Sequence, residues 1–98
     1  MNYRNETITV GTASTVLSTN KGPIPQRRMA IIITNTSTGG QTICLSIGDE
    51  ATANEGIVLY PGGSWEQSTN GGYYPPQDRI NAISSLAGGT VGYYEEVQ

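Results

Sequence analysis

Short segments in which apolar and polar residues alternate recur along this chain of 98 residues. In the clearest of them, Ile43, Leu45 and Ile47 lie on one side of an extended chain, and Cys44 and Ser46 lie on the other. Gly, Pro, Asn and Ser bound most of these segments, as they do for β-strands. No window of eleven residues has apolar positions at helical spacing. The pattern predicts strands at 7–10, 13–18, 27–34, 41–48, 57–60, 64–68, 79–84 and 90–97.

These strands predict an all-β fold: a small antiparallel β-sandwich of jelly-roll or Greek-key type with seven to eight short strands. We expect one domain overall. Residues 1–26 hold an N-terminal arm, the first strands and a Pro-rich loop, and residues 27–98 form the sandwich body. The continuous apolar run at 27–34 is typical of a central strand covered on both faces. The short Gly-containing segment 85–89 predicts a hairpin between the last two strands.

Composition limits how such a domain is stabilised. Leu, Ile and Val total 19 residues and Phe is absent, so the core is thin and association between subunits is expected. Cys44 is the single Cys and there is no His, which excludes an internal disulfide and a Cys/His metal site.

A net charge of −3 argues against nucleic-acid binding. No apolar run is long enough to span a membrane, and no secretory signal is visible, so we expect synthesis in a cytoplasm.

Catalytic chemistry has little support in the sequence. Without His, the commonest general base is missing, and Cys44 has no base or signature around it. We expect no enzyme activity and no cofactor.

The acidic segment with Asp49, Glu50, Asn54 and Glu55 offers oxygen ligands for calcium, but its spacing fits no known loop. A solvated loop is the simpler interpretation.

The aromatic residues are the best candidates for function. Trp and Tyr are enriched at protein interfaces and in sugar-binding sites, although they can also fill a core that lacks Phe. Neighbouring Tyr93 and Tyr94 must point to opposite faces of a strand. The segment "GGYYPPQ" predicts an extended arm or contact loop, and "PGGS" predicts a turn. The candidate interface residues are Tyr3, Arg4, Trp65, Tyr73, Tyr74, Pro75 and Pro76.

The motifs "RRMAIIITNTS", "ICLSIGD", "GIVLYPGGSW", "RINAIS" and "GGTVGYYEE" follow one another in residues 27–96. This order resembles a class of small virion proteins of bacterial viruses. The resemblance implies a small sandwich used for assembly, as a capsid decoration or cement subunit or as a spike or fibre domain, with no catalytic residues. It also implies that the matched positions are strand ends and turns: Arg28, Asn35, Gly48, Pro61 and Gly62.

Three functional hypotheses follow. The first is a structural virion protein, a decoration or cement subunit that binds the major capsid protein or another virion protein, with a homotrimer favoured and no nucleic-acid or membrane partner. The second is a spike, fibre or tail component for attachment. The third is a carbohydrate-binding module that uses Trp65 with Tyr73 or Tyr74, near Glu66, Gln67 and Asn70.

Overall fold

The computed structural model describes residues 2–18, 27–69 and 75–97. These residues form eight β-strands and no helix, which confirms the predicted all-β fold. Most strands lie close to where the alternation placed them. They are β1 (Asn2–Val10), β2 (Thr15–Ser18), β3 (Arg28–Asn35), β4 (Ile43–Ile47), β5 (Ile57–Leu59), β6 (Ser64–Ser68), β7 (Ile80–Ser84) and β8 (Gly89–Val97).

The strands form two four-stranded sheets, and all pairings are antiparallel. The strand order is β1-β8-β3-β6 in sheet A and β2-β7-β4-β5 in sheet B. Only β4 and β5 are neighbours both along the chain and within a sheet. Every other connection between consecutive strands passes from one sheet to the other, so the two sheets are linked repeatedly at their ends.

The hydrophobic core lies between the two sheets. Ile31 and Ile33 enter it from sheet A, and Ile43 and Leu45 enter it from sheet B, all four at or below 1% exposure. Because side chains alternate along a strand, each sheet contributes one apolar face. The remaining core residues are Val10, Leu17, Leu59, Ile80, Ala82, Val91 and Tyr93.

Two expectations about individual strands are wrong. The last two strands do not form a hairpin, because β7 belongs to sheet B and β8 to sheet A; the segment 85–88 between them joins the sheets. A short Gly-containing connection fits either geometry. Strand β3 is not covered on both faces either, since Ile32 on its outer face is 36% exposed. Its apolar run reflects one buried face and one open face.

The N-terminal residues belong to the sheets. Strand β1 pairs with β8 at nine consecutive positions, from Asn2 opposite Val97 to Val10 opposite Gly89. Strand β2 pairs with β7. We expected an arm before a strand at 7–10; residues 2–10 form one continuous edge strand of sheet A. The Pro-rich loop predicted at 20–26 lies outside the described residues.

Candidate functional site

The outer faces of the two sheets differ in what lies over them. On sheet B, the loop between β4 and β5 packs against the outer face. The Asn54 backbone N–H donates to the Cys44 sulfur at 3.3 Å, and the Asn81 side-chain amide donates to the Asp49 carbonyl. Cys44 is therefore only 3% exposed, although its side chain points away from the core. The loop of this chain covers part of that face.

The outer face of sheet A is open. The pairing registers bring alternate residues of all four strands to this side. Each of them is exposed or half-exposed in the described part of the chain, and Tyr3 reaches 58%. We call this surface the sheet A face. It consists of Tyr3, Asn5, Thr7 and Thr9 of β1, Thr90, Gly92, Tyr94 and Glu96 of β8, Ala30, Ile32 and Thr34 of β3, and Ser64, Glu66 and Ser68 of β6.

A shallow depression lies near the middle of the sheet A face, with a volume of about 440 Å³. Gly92 lies between Thr7 of β1 and Thr34 of β3, and its missing side chain leaves the space open. The Tyr94 ring borders the depression and lies 6.2 Å from the Tyr3 ring, centroid to centroid. The lining residues are Asn5, Glu6, Thr7, Ile32, Thr34, Gly92, Tyr93 and Tyr94.

The chemistry of the sheet A face is mostly uncharged. Its only ionisable carboxylates are Glu66 and Glu96. Partial burial raises the pKa of Tyr94, and the nearby Glu96 and Tyr3 raise it further. Thr34 and Ser64 share a hydroxyl hydrogen bond of 2.8 Å across the strands. The surface combines aromatic rings, an aliphatic side chain and hydroxyls, as protein interfaces commonly do.

A buried ion pair fixes one end of the sandwich. Arg28 is fully buried, and its Nε donates to Glu95 Oε2 at 2.5 Å. Its Nη1 also donates to the carbonyls of Pro76 and Asp78. Gln77 completes the contact: its side chain accepts from the Arg28 backbone N–H at 2.7 Å and donates to the Arg28 carbonyl at 3.0 Å. The segment 75–78 is thereby tied to β3 and β8.

Tyr3 and Arg4 were grouped as one candidate interface, but they lie on opposite faces of β1. Arg4 lies on the core side at the end of the sandwich, where it donates to Glu6 at 2.5 Å and contacts Glu95 at 3.5 Å. Its guanidinium also lies 5.3 Å from the centre of the Tyr93 ring. Burial lowers the pKa of Arg4. The hydrogen bond to Glu6 and the charges of Glu6, Tyr93 and Glu95 outweigh this effect, so the pKa of Arg4 is raised overall. Arg4 is held mainly by its own chain.

The other predicted interface residues are dispersed. Trp65 is half-buried and packs against the core cluster, on the opposite side of β6 from the sheet A face. Pro75 is buried and Pro76 is half-buried, with the Pro76 carbonyl accepting from Arg28. Tyr73 and Tyr74 lie outside the described residues. Among the members of this group that the structure describes, only Tyr3 lies on the sheet A face.

Of the five positions that the resemblance matched, Arg28 begins β3, and the other four lie at the end of a strand or in the turn after it. Asn35 ends β3, is 1% exposed, and donates from its side chain to the carbonyls of Gln41 and Leu59, both at 2.8 Å. Gly48 follows β4 with a φ of 88°. Pro61 and Gly62 form a tight turn closed by a 2.7 Å hydrogen bond from Gly63 N–H to the Tyr60 carbonyl. Gly62 has a φ of 84°, which places Pro and Gly as in a type II turn.

The acidic loop shows no metal-binding geometry among the residues that the structure describes. Asp49, Glu50, Asn54 and Glu55 are all exposed. No group of three or more His, Cys, Asp or Glu side chains is placed to hold a metal ion in the described ranges. Nor do the described residues include a helix long and apolar enough to cross a membrane.

No family model matches the chain, and no curated protein matches it significantly.

Sequence reasoning missed the centre of the open face. Ile32 was assigned to a doubly covered strand, and Gly92 was not singled out. The signal was present, because placing Ile31 and Ile33 inward forces Ile32 outward. The same rule predicted that Tyr93 and Tyr94 face opposite sides, and this is confirmed: Tyr93 is 3% exposed and Tyr94 lies on the sheet A face.

Proposed function

We propose that this chain is a structural virion protein, a capsid decoration or cement subunit that binds the major capsid protein or another virion protein through the sheet A face. The observation that carries the proposal is the contrast between the two outer faces. Sheet B is partly covered by a loop of the chain itself, whereas the sheet A face presents Tyr3, Ile32 and Tyr94 on a broad, mostly uncharged surface. Apolar and aromatic surface left open in this way is typical of binding sites.

The strand order supports this proposal. We infer a jelly roll, because the first and last strands are neighbours in sheet A and almost every connection passes between the sheets. Jelly rolls with two Greek keys occur in viral capsid proteins and in lectins. The same fold carries many functions, so this support is an analogy. The similarity of residues 27–96 to small virion proteins points in the same direction.

Particle binding tests the proposal with a matched pair of substitutions. Ile32 on the sheet A face is 36% exposed, and Val16 on the outer side of sheet B is 46% exposed. We expect Ile32→Glu to abolish sedimentation with capsids that were assembled without this chain, and Val16→Glu to leave it unchanged. Circular dichroism would establish that both variants are folded. Equal binding by both variants, or equal loss, would refute the assignment of the sheet A face.

Copy number separates decoration from attachment. A spike, fibre or tail component could use the same face, but such components are present in few copies. Quantitative mass spectrometry of purified particles would count this chain against the major capsid subunit. We expect a ratio typical of a protein that covers the lattice; a few copies per particle would favour the attachment role.

The depression beside Tyr94 favours carbohydrate binding as a second candidate. A neutral Tyr ring next to Asn5 and Thr7 offers a stacking surface together with hydrogen-bonding groups. The arrangement predicted around Trp65 is less favourable, because Trp65 packs against the core. A glycan screen of the wild type and Tyr94→Ala would test it. Binding that disappears in the variant would support this function, and a silent screen would remove it.

A further inference from the structure

Strand β1 has the longest edge in either sheet of the described structure. It has nine residues, whereas the other edge strands β6, β2 and β5 have five, four and three. One side of β1 is paired with β8 at nine consecutive positions without a bulge. In the described part of the chain, the other side faces no strand. Its backbone N–H and C=O groups are therefore a template for a further strand.

The sequence of β1 lacks most of the features that usually prevent such pairing. Edge strands are commonly protected by Pro, by charged side chains (Lys above all), by a bulge or by being short; of these, β1 has only the charges of Arg4 and Glu6. Strand β1, "NYRNETITV", contains neither Pro nor Lys and keeps a regular register. Residues 3–7 are also exposed on their side chains. A second extended strand can approach this edge without a steric obstacle on β1 itself.

The charges of β1 identify the strand that fits. Arg4 and Glu6 are its only charged residues, lie two positions apart on the same face, and have side chains 42% and 46% exposed. In an antiparallel pair of two identical strands centred on Asn5, Arg4 of each copy lies opposite Glu6 of the other. Centring the pair on Arg4 or on Glu6 would instead place like charges opposite each other, which is unfavourable. The sequence of β1 is thus complementary to itself in one register.

We propose that two copies of this chain associate through antiparallel pairing of their β1 strands about a two-fold axis at Asn5. In this register Tyr3 of one copy lies opposite Thr7 of the other, and the two A sheets join into one continuous sheet. The contact is isologous, so by itself it closes a dimer; the sequence had favoured a homotrimer. The proposal concerns the free protein and goes beyond the proposed function. Its failure would leave the assignment of the sheet A face as the capsid-binding surface untouched.

Engineered disulfides test the register. Directly opposite residues of an antiparallel pair have Cα atoms about 4.5–5.5 Å apart, within the range of a disulfide. We expect Asn5→Cys to form a dimer on mild oxidation that is reversed by reductant. Thr7→Cys is the matched control, because residue 7 is exposed on the same face of β1. In this register the two introduced Cys residues of a dimer would be offset by about 13 Å along the strands, too far for a disulfide. Wild type oxidised in parallel controls for cross-linking through the native Cys44, which is 3% exposed.

The charges provide a second, independent test. We expect Glu6→Arg to weaken the dimer on the order of tenfold, because each new Arg would face Arg4 of the other copy. The double variant Arg4→Glu with Glu6→Arg reverses both charges and should restore association. Sedimentation equilibrium of the full chain would measure both constants. A wild type that stays monomeric at high concentration, a Thr7→Cys variant that cross-links as readily as Asn5→Cys, or a dimer indifferent to Glu6→Arg would each overturn the proposal.

Discussion

The buried ion pair between Arg28 and Glu95 gives the sharpest prediction about stability. Replacing Arg28 by Met keeps an unbranched side chain of similar length but makes it apolar, which removes the 2.5 Å contact to Glu95. It also removes the donor shared by the carbonyls of Pro76 and Asp78. Glu95, at 4% exposure, would keep its described contact with Arg4 at 3.5 Å. A buried carboxylate that loses its main partner is strongly destabilising.

The expected magnitude is large for a domain of this size. Breaking a buried pair by removing one partner costs about 3–5 kcal/mol, whereas a 98-residue domain has a total unfolding free energy of roughly 5–15 kcal/mol. Arg28→Met should therefore remove from about a fifth of the stability to nearly all of it. With an m-value of about 2 kcal/mol/M in urea, the midpoint would fall by roughly 2 M.

Urea unfolding followed by the fluorescence of Trp65, the single Trp, would measure this change. Arg4→Met is the matched control, because it contacts the same Glu95 from a side chain that is 42% exposed; its cost should stay below about 1 kcal/mol. The double variant Arg28→Met with Glu95→Leu should be more stable than Arg28→Met alone, since it leaves no buried charge. Equal effects of the two Arg variants, or a double variant less stable than Arg28→Met, would refute the reasoning.

Two further predictions concern single groups. A Cβ at Gly56 would lie 2.5 Å from the Leu45 carbonyl oxygen, and the φ of 78° disfavours any side chain. Gly56→Ala should therefore lower the urea midpoint clearly. Gly11→Ala is the control and should not lower it, because a Cβ there would meet no atom within 4 Å. The raised pKa of Tyr94 makes a stabilising contribution that is complete below its ordinary value of 10.0 and is lost as the pH rises through the folded value. Stability should therefore fall at alkaline pH less steeply in Tyr94→Phe than in wild type, and identical pH profiles would count against this.

The sequence predicted strands well and their partners poorly, for physical reasons. Alternation is a local property, so the inward Ile43 and Leu45 and the opposed Tyr93 and Tyr94 could be assigned from neighbouring residues alone. Sheet membership depends on contacts between distant segments. The ion pair of Arg28 with Glu95 joins residues 67 positions apart, and no local pattern announces it.

The error about β3 has the same origin and bears on function. Ile31, Ile32 and Ile33 have the same local pattern, whether one or both faces of the strand are buried. What decides the matter is whether another segment packs over the sheet. A loop does so on sheet B, where Cys44 is 3% exposed, and Ile32 on sheet A remains 36% exposed. The candidate surface became visible only from the comparison of the two faces.

The open face and the free edge of β1 reinforce each other. A two-fold axis perpendicular to the sheet keeps both sheet A faces on the same side of the joined sheet. In the proposed dimer, Tyr3 on the edge strand lies opposite Thr7 of the second copy. Each copy has one Tyr3–Tyr94 ring pair, and the two pairs would lie on opposite sides of the two-fold axis. If the proposed capsid binding and the proposed dimer both hold, two faces in one plane would engage two neighbouring subunits of a regular lattice at once, and the second contact would form at a high effective concentration. A thin-cored domain with a modest face can in this way bind firmly to a repeating surface while binding a single isolated subunit weakly.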